Sequence, residues 1–453
     1  MRVDQTSGSR PDVAEEALRL HAAYRGKIQV LAKCPVSNAR DLAVWYTPGV
    51  AAPSAAIAKD PERSFDYTNR GNTVAIVSDG SRVLGLGDIG PEAALPVMEG
   101  KALLFRCFGA VDAVPLCLAT KDPAEIVRIV EALVPSFGAI NLEDIAQPKC
   151  FRILDELRAR LPIPVWHDDQ QGTATVVLAG LINSLAVAGK RIDQVRIALV
   201  GMGAANVATY RLLRWFGVPA DAFVACDSRG ILHRNRADIE DDRDSFADKW
   251  RVCTETNPDN IVGGIDAALR GADVCIAFSR PGPGVIRPEW VRTMAKKAIV
   301  FACANPVPEI WPQEAQDAGA FICATGRSDF PNQVNNSLAF PGIFRGVLDV
   351  RARAITDPMA VAAALELAKC AVEQGLGNDR ILPLMIDWSI HARVAAATGD
   401  SAQKHGLARI AKDKSELYRS ACHAIDETRR AHEALLSSKT DSAEHNALTI
   451  GVA

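Results

Sequence analysis

Hydrophobic positions along this chain follow two rhythms. Short runs such as Thr73 to Val77, Ala113 to Leu118 and Ala139-Ile140 are apolar nearly throughout, and they predict strands covered on both faces. Between them, Met98 to Phe108, Ala124 to Leu133 and Cys150 to Arg160 repeat apolar residues at the three-to-four spacing of a helix face. Strand and helix in alternation predict an α/β domain over residues 27–170. Ahead of it, residues 1–26 are polar with a helical stretch from Val13 to Tyr24, and they read as a docking arm.

The rhythm changes after residue 170. A helix of small residues, Thr173 to Ala188, closes at Gly189 and is followed by the strand run Arg196 to Val200. A tight turn, Gly201-Met202-Gly203-Ala204-Ala205-Asn206, then opens a helix that runs to Phe216. The next strand, Ala222 to Ala225, ends at Cys226-Asp227. Further buried strands are predicted at Val274 to Phe278, Ala298 to Cys303 and Ala320 to Ala324. Strands separated by helices imply crossovers and a parallel sheet, so residues 171–393 are expected to form a doubly wound, Rossmann-type domain. Amphipathic C-terminal helices are expected over 394–436, including Ser415 to Leu435, and a mobile tail over 437–453.

Composition narrows the function classes. At 453 residues and 48% hydrophobic content, two domains are the default. A net charge of −3 offers no broad basic surface, so nucleic acid is not an expected partner. Apolar runs such as Val195 to Val200 are too short to span a bilayer, and no membrane association is expected. Eleven cysteines without a CxxC spacing fit reduced thiols and a cytoplasmic location, and none is read as catalytic.

Two acid pairs carry the candidate chemistry. Glu143-Asp144 follows the strand run Ala139-Ile140, and Asp168-Asp169 follows Ile163 to Trp166. Four carboxylates from two strand ends, followed by Gln170-Gln171-Gly172-Thr173 opening a helix, place hard oxygen ligands where a divalent cation would sit. Such pairs also arise as helix caps. Lys101 follows Glu99-Gly100 at the start of an apolar stretch, where desolvation and a nearby cation would lower its pKa. Tyr46 precedes Pro48-Gly49, a turn that would hold its ring.

The Gly201 turn is the nucleotide candidate. Gly201 lets the chain turn after a strand, Gly203 leaves room for a pyrophosphate, and Ala204, Ala205 and Asn206 begin the helix whose free N–H groups suit an anion. Asn206 stands where a third glycine is usual. Asp227, at the end of the next strand, is placed to accept from an adenine ribose, while Arg229 lies close enough to meet a 2′-phosphate. The choice between NAD and NADP stays open on this pattern.

YTPGVA at Tyr46, SDGSRVLGLGDIG at Ser78, MEGKALLF at Met98, NLEDIA at Asn141, VWHDDQQGTA at Val165, CANPVPEI at Cys303 and TGRSDFPNQVNNSLAFPGIFRG at Thr325 together resemble the malic enzymes, especially the short bacterial form. The likeness runs in order from about Lys27 to about Arg393. It implies oxidative decarboxylation of L-malate to pyruvate and CO₂ with NAD or NADP and Mg²⁺ or Mn²⁺. It implies Glu143, Asp144 and Asp169 as metal ligands, Lys101 as general base and Tyr46 as general acid. Arg82, Lys101, Asn305 and Asn336 match substrate-binding positions, Asn305 also faces the cofactor, and Asp168 matches a carboxylate beside the metal. The resemblance further implies a homodimer or higher homo-oligomer, possible decarboxylation of oxaloacetate, and no phosphotransacetylase-like domain after the core. Two departures stand out: Gln171 occupies a position often His in bacterial relatives, and Arg82 looks like the eukaryotic branch. The alternative is a lyase of malolactic or oxaloacetate-decarboxylating type that retains its nucleotide.

Overall fold

The computed structural model describes residues 13–83 and 85–450, with side chains described as far as residue 437. Two parallel sheets organise it. The first contains β1 (Thr73–Ser78), β2 (Asp112–Cys117), β3 (Ala139–Leu142) and β4 (Val165–His167) in the order β2-β1-β3-β4. The second contains β5 (Ile197–Val200), β6 (Phe223–Asp227), β7 (Gly230–Ile231), β8 (Val274–Ala277), β9 (Ala298–Ala302) and β10 (Ala320–Thr325) in the order β10-β9-β8-β5-β6-β7. Only β7 runs antiparallel, as a short hairpin partner of β6. The remaining connections within each sheet need crossovers, which the intervening helices supply.

Apolar runs became strands because both sheet faces are covered. Val74 and Ile76 of β1 enter one core, whereas Ala75 and Val77 enter another with Ile126, Ile153 and Leu157. In the same way Ile197 and Leu199 of β5 face one cluster and Ala198 and Val200 the other. Period-two alternation therefore survives in strands that read as unbroken hydrophobic runs.

One core is shared by both sheets. The helix Thr173–Ala188 lies between them and buries nearly all its length, so its all-round apolar sequence reflects a central position. With the preceding turn it forms the one stretch, among the described residues, long and apolar enough to cross a bilayer, and it is 78% buried inside the protein. A second seam joins the halves where the helix Gly90–Gly109 meets the helix Phe340–Asp349. There the Phe105 ring lies 4.6 Å from Phe340 and 5.0 Å from Phe344, and Arg345 donates to Asn72 Oδ1.

Residues 13–24 form the expected helix, but residues 1–12 of the arm lie outside the described residues. Residues 437–450, within the expected tail, continue the helix Lys414–Ile450, with no Gly or Pro to interrupt it before Gly451. Residues 451–453 lie outside the described residues.

Candidate active site

Register brings the two acid pairs together. Val77 pairs with Leu142 and Leu142 with His167, so β1, β3 and β4 end at one level and their following residues share one edge. This is the carboxyl edge of a parallel sheet, where side chains from several strands converge on a crevice.

Lys101, on the helix Gly90–Gly109, points into that edge and is 8% exposed. Its Nζ stands 2.8 Å from Glu143 Oε1 and 2.6 Å from Asp168 Oδ2, and 4.4 Å from the Phe340 ring centroid. Trp166 Nε1 donates to the other Asp168 oxygen at 3.0 Å, and Asn141 Nδ2 donates to Glu143 Oε2 at 2.9 Å. Asp169 Oδ2 accepts from the Asp144 backbone N–H at 2.8 Å. Asp144 adopts a left-handed φ of +53°, which turns the chain sharply after Glu143.

Electrostatics here depart from the expected lowering of Lys101. Burial pulls its ammonium down, but the Asp168 and Glu143 carboxylates outweigh burial and hold it above its ordinary range. Glu143 is pushed well up, first by burial and then by Asp169 and Asp168, against the pull of Lys101. Asp168 is likewise raised by burial in spite of Lys101. Four carboxylates gathered beside one ammonium leave surplus negative charge in a low-dielectric place, an arrangement that one dication would offset.

The donor set fits a hard dication in kind: Glu143, Asp144 and Asp169 offer only oxygen, which suits Mg²⁺ or Mn²⁺ rather than Zn²⁺. Among the described residues no three such groups already surround a common point. His167, between the strand and the acids, is fully buried with Nδ1 3.7 Å from Asp169 Oδ2, and burial keeps it neutral.

The turn Asp168–Gly172 is wound wider than an α-helix, a local geometry common at functional sites. A Cβ on Gly172 would fall 1.9 Å from Asp168 Oδ1 and 3.2 Å from Asn336 Cβ, so Asn336 flanks the same turn. From the first sheet, the Arg82 N–H donates to Asp144 O at 3.0 Å. A few residues on, a Cβ on Gly85 would meet Asn305 O at 2.7 Å, so the Arg82 loop bears on the Asn305 loop of the second sheet. Arg82 and Asn336 thus stand beside the acid-bearing turns, and the Arg82 loop stands against Asn305.

Tyr46 is not brought into the cluster. It caps the helix Ala39–Trp45, is 71% exposed, and stands on the surface of its own chain.

The nucleotide turn has the expected form. Gly201 has φ of +86°, and a Cβ there would meet Phe278 O at 2.5 Å. Gly203 faces open space, as a cradle for a phosphate requires. Ala204 and Ala205 begin the helix Ala204–Phe216, which packs against the Asp168–Gly172 turn. Asn206 is wholly buried, and its Nδ2 donates to Val200 O, Gly201 O and Ile276 O. That amide group braces the turn from behind, which accounts for an amide where a third glycine is usual. Asp227 is no open acceptor either, because Arg236 grips both its oxygens at 3.1 and 3.0 Å.

Several supporting residues carry no clear mark in the sequence. Asp79 accepts from Ser81 and pairs with Lys149, and Ser81 Oγ in turn accepts from Ala146 N–H at 2.9 Å. Glu309, fully buried, accepts from Ser279 and from the Ala304 N–H beside Asn305. An acid directly after a strand end was the available signal for Asp79; Arg236 had none. Of the eleven free cysteines, seven are buried, and burial pushes the thiols of Cys150, Cys226 and Cys323 up to about 12, which leaves them inert.

Comparison with known proteins finds relatives across both parts of the chain. Residues 25–158 match the family model of the malic enzyme N-terminal domain, and residues 170–402 that of the malic enzyme NAD binding domain. The chain is 47% identical over 403 residues to the bifunctional malic/malolactic enzyme of Bacillus subtilis, covering 89% of this chain and 96% of that one. It is 42% identical to the NADP-dependent malic enzyme of Halomonas elongata, covering 87% and 94%. The crystal structure of Entamoeba histolytica malic enzyme superposes with a TM-score of 0.91 at 47% identity, covering 94% of this chain and 89% of that one.

Proposed function

The chain belongs to the malic enzyme family, and from that premise we propose that it oxidatively decarboxylates L-malate to pyruvate and CO₂, with a nicotinamide dinucleotide as hydride acceptor and Mg²⁺ or Mn²⁺ as the metal. The observation that carries this reading is the buried contact of Lys101 with Glu143 and Asp168 at the sheet edge beside which Arg82 and Asn336 stand.

When bound, a dication held by Glu143, Asp144 and Asp169 supplies Lewis acidity at the substrate oxygens and offsets the carboxylates that hold the Lys101 proton, while the nicotinamide accepts hydride. Arg82, Asn305 and Asn336 bind the carboxylates and hydroxyl of malate and fix its orientation. Lys101 takes the proton of the C2 hydroxyl as a neutral amine, a form it reaches only after releasing the proton that Glu143 and Asp168 otherwise hold on it. Asp168, locked by Trp166, holds the Lys101 amine in place for that transfer. After CO₂ leaves, Tyr46 returns a proton to the carbon that lost it.

Tyr46 reaches that carbon from a second copy. The helices Val13–Tyr24, Ala39–Trp45 and Ala51–Lys59 have no buried residue, and Val30, Leu31, Trp45 and Tyr46 are all exposed. Leu384 and Ile386 are exposed too, beside Met385, whose sulfur contacts Ser337 next to Asn336. A homodimer that lays the arm of one copy on the other covers these apolar side chains and completes the site.

The test is reduction of NAD⁺ or NADP⁺ followed at the reduced cofactor's absorbance with malate and Mn²⁺, together with pyruvate assay. Pyruvate and reduced cofactor in equal amounts support the reading. Lactate without reduced cofactor favours the malolactic alternative.

A further inference from the structure

Asp227 ends β6 beside the nucleotide turn, because Gly201 N–H donates to Cys226 O at 2.8 Å across the sheet. The carboxylate in that place is already occupied. Its Oδ1 accepts from Arg229 N–H at 2.9 Å and Arg236 Nη1 at 3.1 Å. Its Oδ2 accepts from Arg236 Nη2 at 3.0 Å and lies 3.6 Å from Lys249 Nζ. A carboxylate offers about four lone-pair directions; here three accept hydrogen bonds and the Lys249 ammonium stands near the fourth. A ribose diol would have to displace one of these partners, and the principal donor, Arg236, is almost fully buried.

The charges around it favour an anion. Within the ion-pair cluster itself three cations, Arg229, Arg236 and Lys249, are joined to two carboxylates, Asp227 and Asp238. Arg236 uses its remaining donors on Asp238 at 2.7 and 2.8 Å. Arg229 holds only a second claim on that same carboxylate, at 3.0 Å, and its side chain is 70% exposed. An exposed pair of this kind is weak and easily exchanged for a better anion. A phosphate offers the guanidinium a paired, charge-assisted contact that a ribose hydroxyl cannot.

We propose that the dinucleotide taken by this chain is NADP, with Arg229 receiving the adenosine 2′-phosphate and Asp227 serving to hold the loop. The inference rests on the reading that the Gly201 turn binds the dinucleotide.

Calorimetric titration of the full chain with NADP⁺, NAD⁺, adenosine 2′,5′-bisphosphate and 5′-AMP tests it. NADP⁺ should bind about tenfold or more tighter than NAD⁺, and the bisphosphate tighter than AMP. Arg229→Gln, at an exposed position, should weaken NADP⁺ by about tenfold while NAD⁺ changes by less than about threefold. Asp238→Asn, which releases Arg229, should leave NADP⁺ affinity equal or higher. Equal or tighter binding of NAD⁺ by the unaltered chain overturns the inference, as does equal weakening of both nucleotides by Arg229→Gln. If neither dinucleotide binds, the reading of the Gly201 turn fails with it.

Discussion

The Lys101 ammonium stands 2.6 Å from Asp168 Oδ2, a carboxylate with no exposed surface. Sixty-seven residues separate them in sequence, and the contact exists because a helix and a strand end meet at one sheet edge. Such a pair positions an amine while holding its proton, so chemistry by Lys101 depends on what else enters the carboxylate cluster.

Lys101→Ala should lower turnover by roughly 10²–10⁴-fold, the usual contribution of a positioned acid–base group. Nucleotide binding, measured by titration, should stay within a few-fold, because the Gly201 turn belongs to the other sheet. A fall of less than about tenfold in turnover removes Lys101 from proton transfer.

Metal binding should stabilise the chain. At a hundred times its dissociation constant, Mn²⁺ adds about 2.7 kcal/mol by mass action, visible as a rise in melting temperature that a chelator reverses. Asp169→Ala should abolish the rise. An unchanged response to Mn²⁺ in that variant excludes Asp169 as a ligand.

Sites completed by a partner copy can complement each other. Lys101→Ala and Tyr46→Phe chains, each nearly inactive alone, should recover about a quarter of unaltered activity when unfolded and refolded as an equal mixture, since half of the dimers would then carry one intact site. Activity that stays at the level of the separate variants places Tyr46 in its own chain's site.

His391 gives a pH dependence of known sign. Burial holds its ring down to about 4, against the Met385 backbone and Asp387, so it stays neutral in the fold while stacked 4.8 Å from Phe108. The unfolded chain takes up a proton near pH 6.5, the ordinary imidazole value, before the folded one does. Stability attributable to His391 is therefore complete above about pH 6.5 and falls as pH drops towards 4, by roughly 3 kcal/mol in all. Urea unfolding of His391→Gln at several pH values should show a shallower decline over that range. Parallel declines in the two proteins would exclude this residue as the source.

Much of the fold could be read from local pattern. Runs like Thr73 to Val77 and Arg196 to Val200 can only be buried strands between helices, and both sheets formed where those runs lie. Long motifs also carried the family, because a stretch as long as VWHDDQQGTA does not recur by chance. The pairs Glu143-Asp144 and Asp168-Asp169 were nameable as acids that follow strand ends.

Tertiary structure alone decided how those groups act. Whether Lys101 sits high or low depends on the sum of burial and two distant carboxylates, a balance no local window contains. Asp227 looked like a free acceptor until packing brought Arg236 against both its oxygens. Tyr46 looked like a companion of Lys101, yet the chain leaves it on the surface. Sequence determines which side chains carry chemistry and which elements bear them, since propensity and burial pattern are local. Their protonation and their partners are set by neighbours that only folding supplies, because charge interactions and desolvation depend on distance in space.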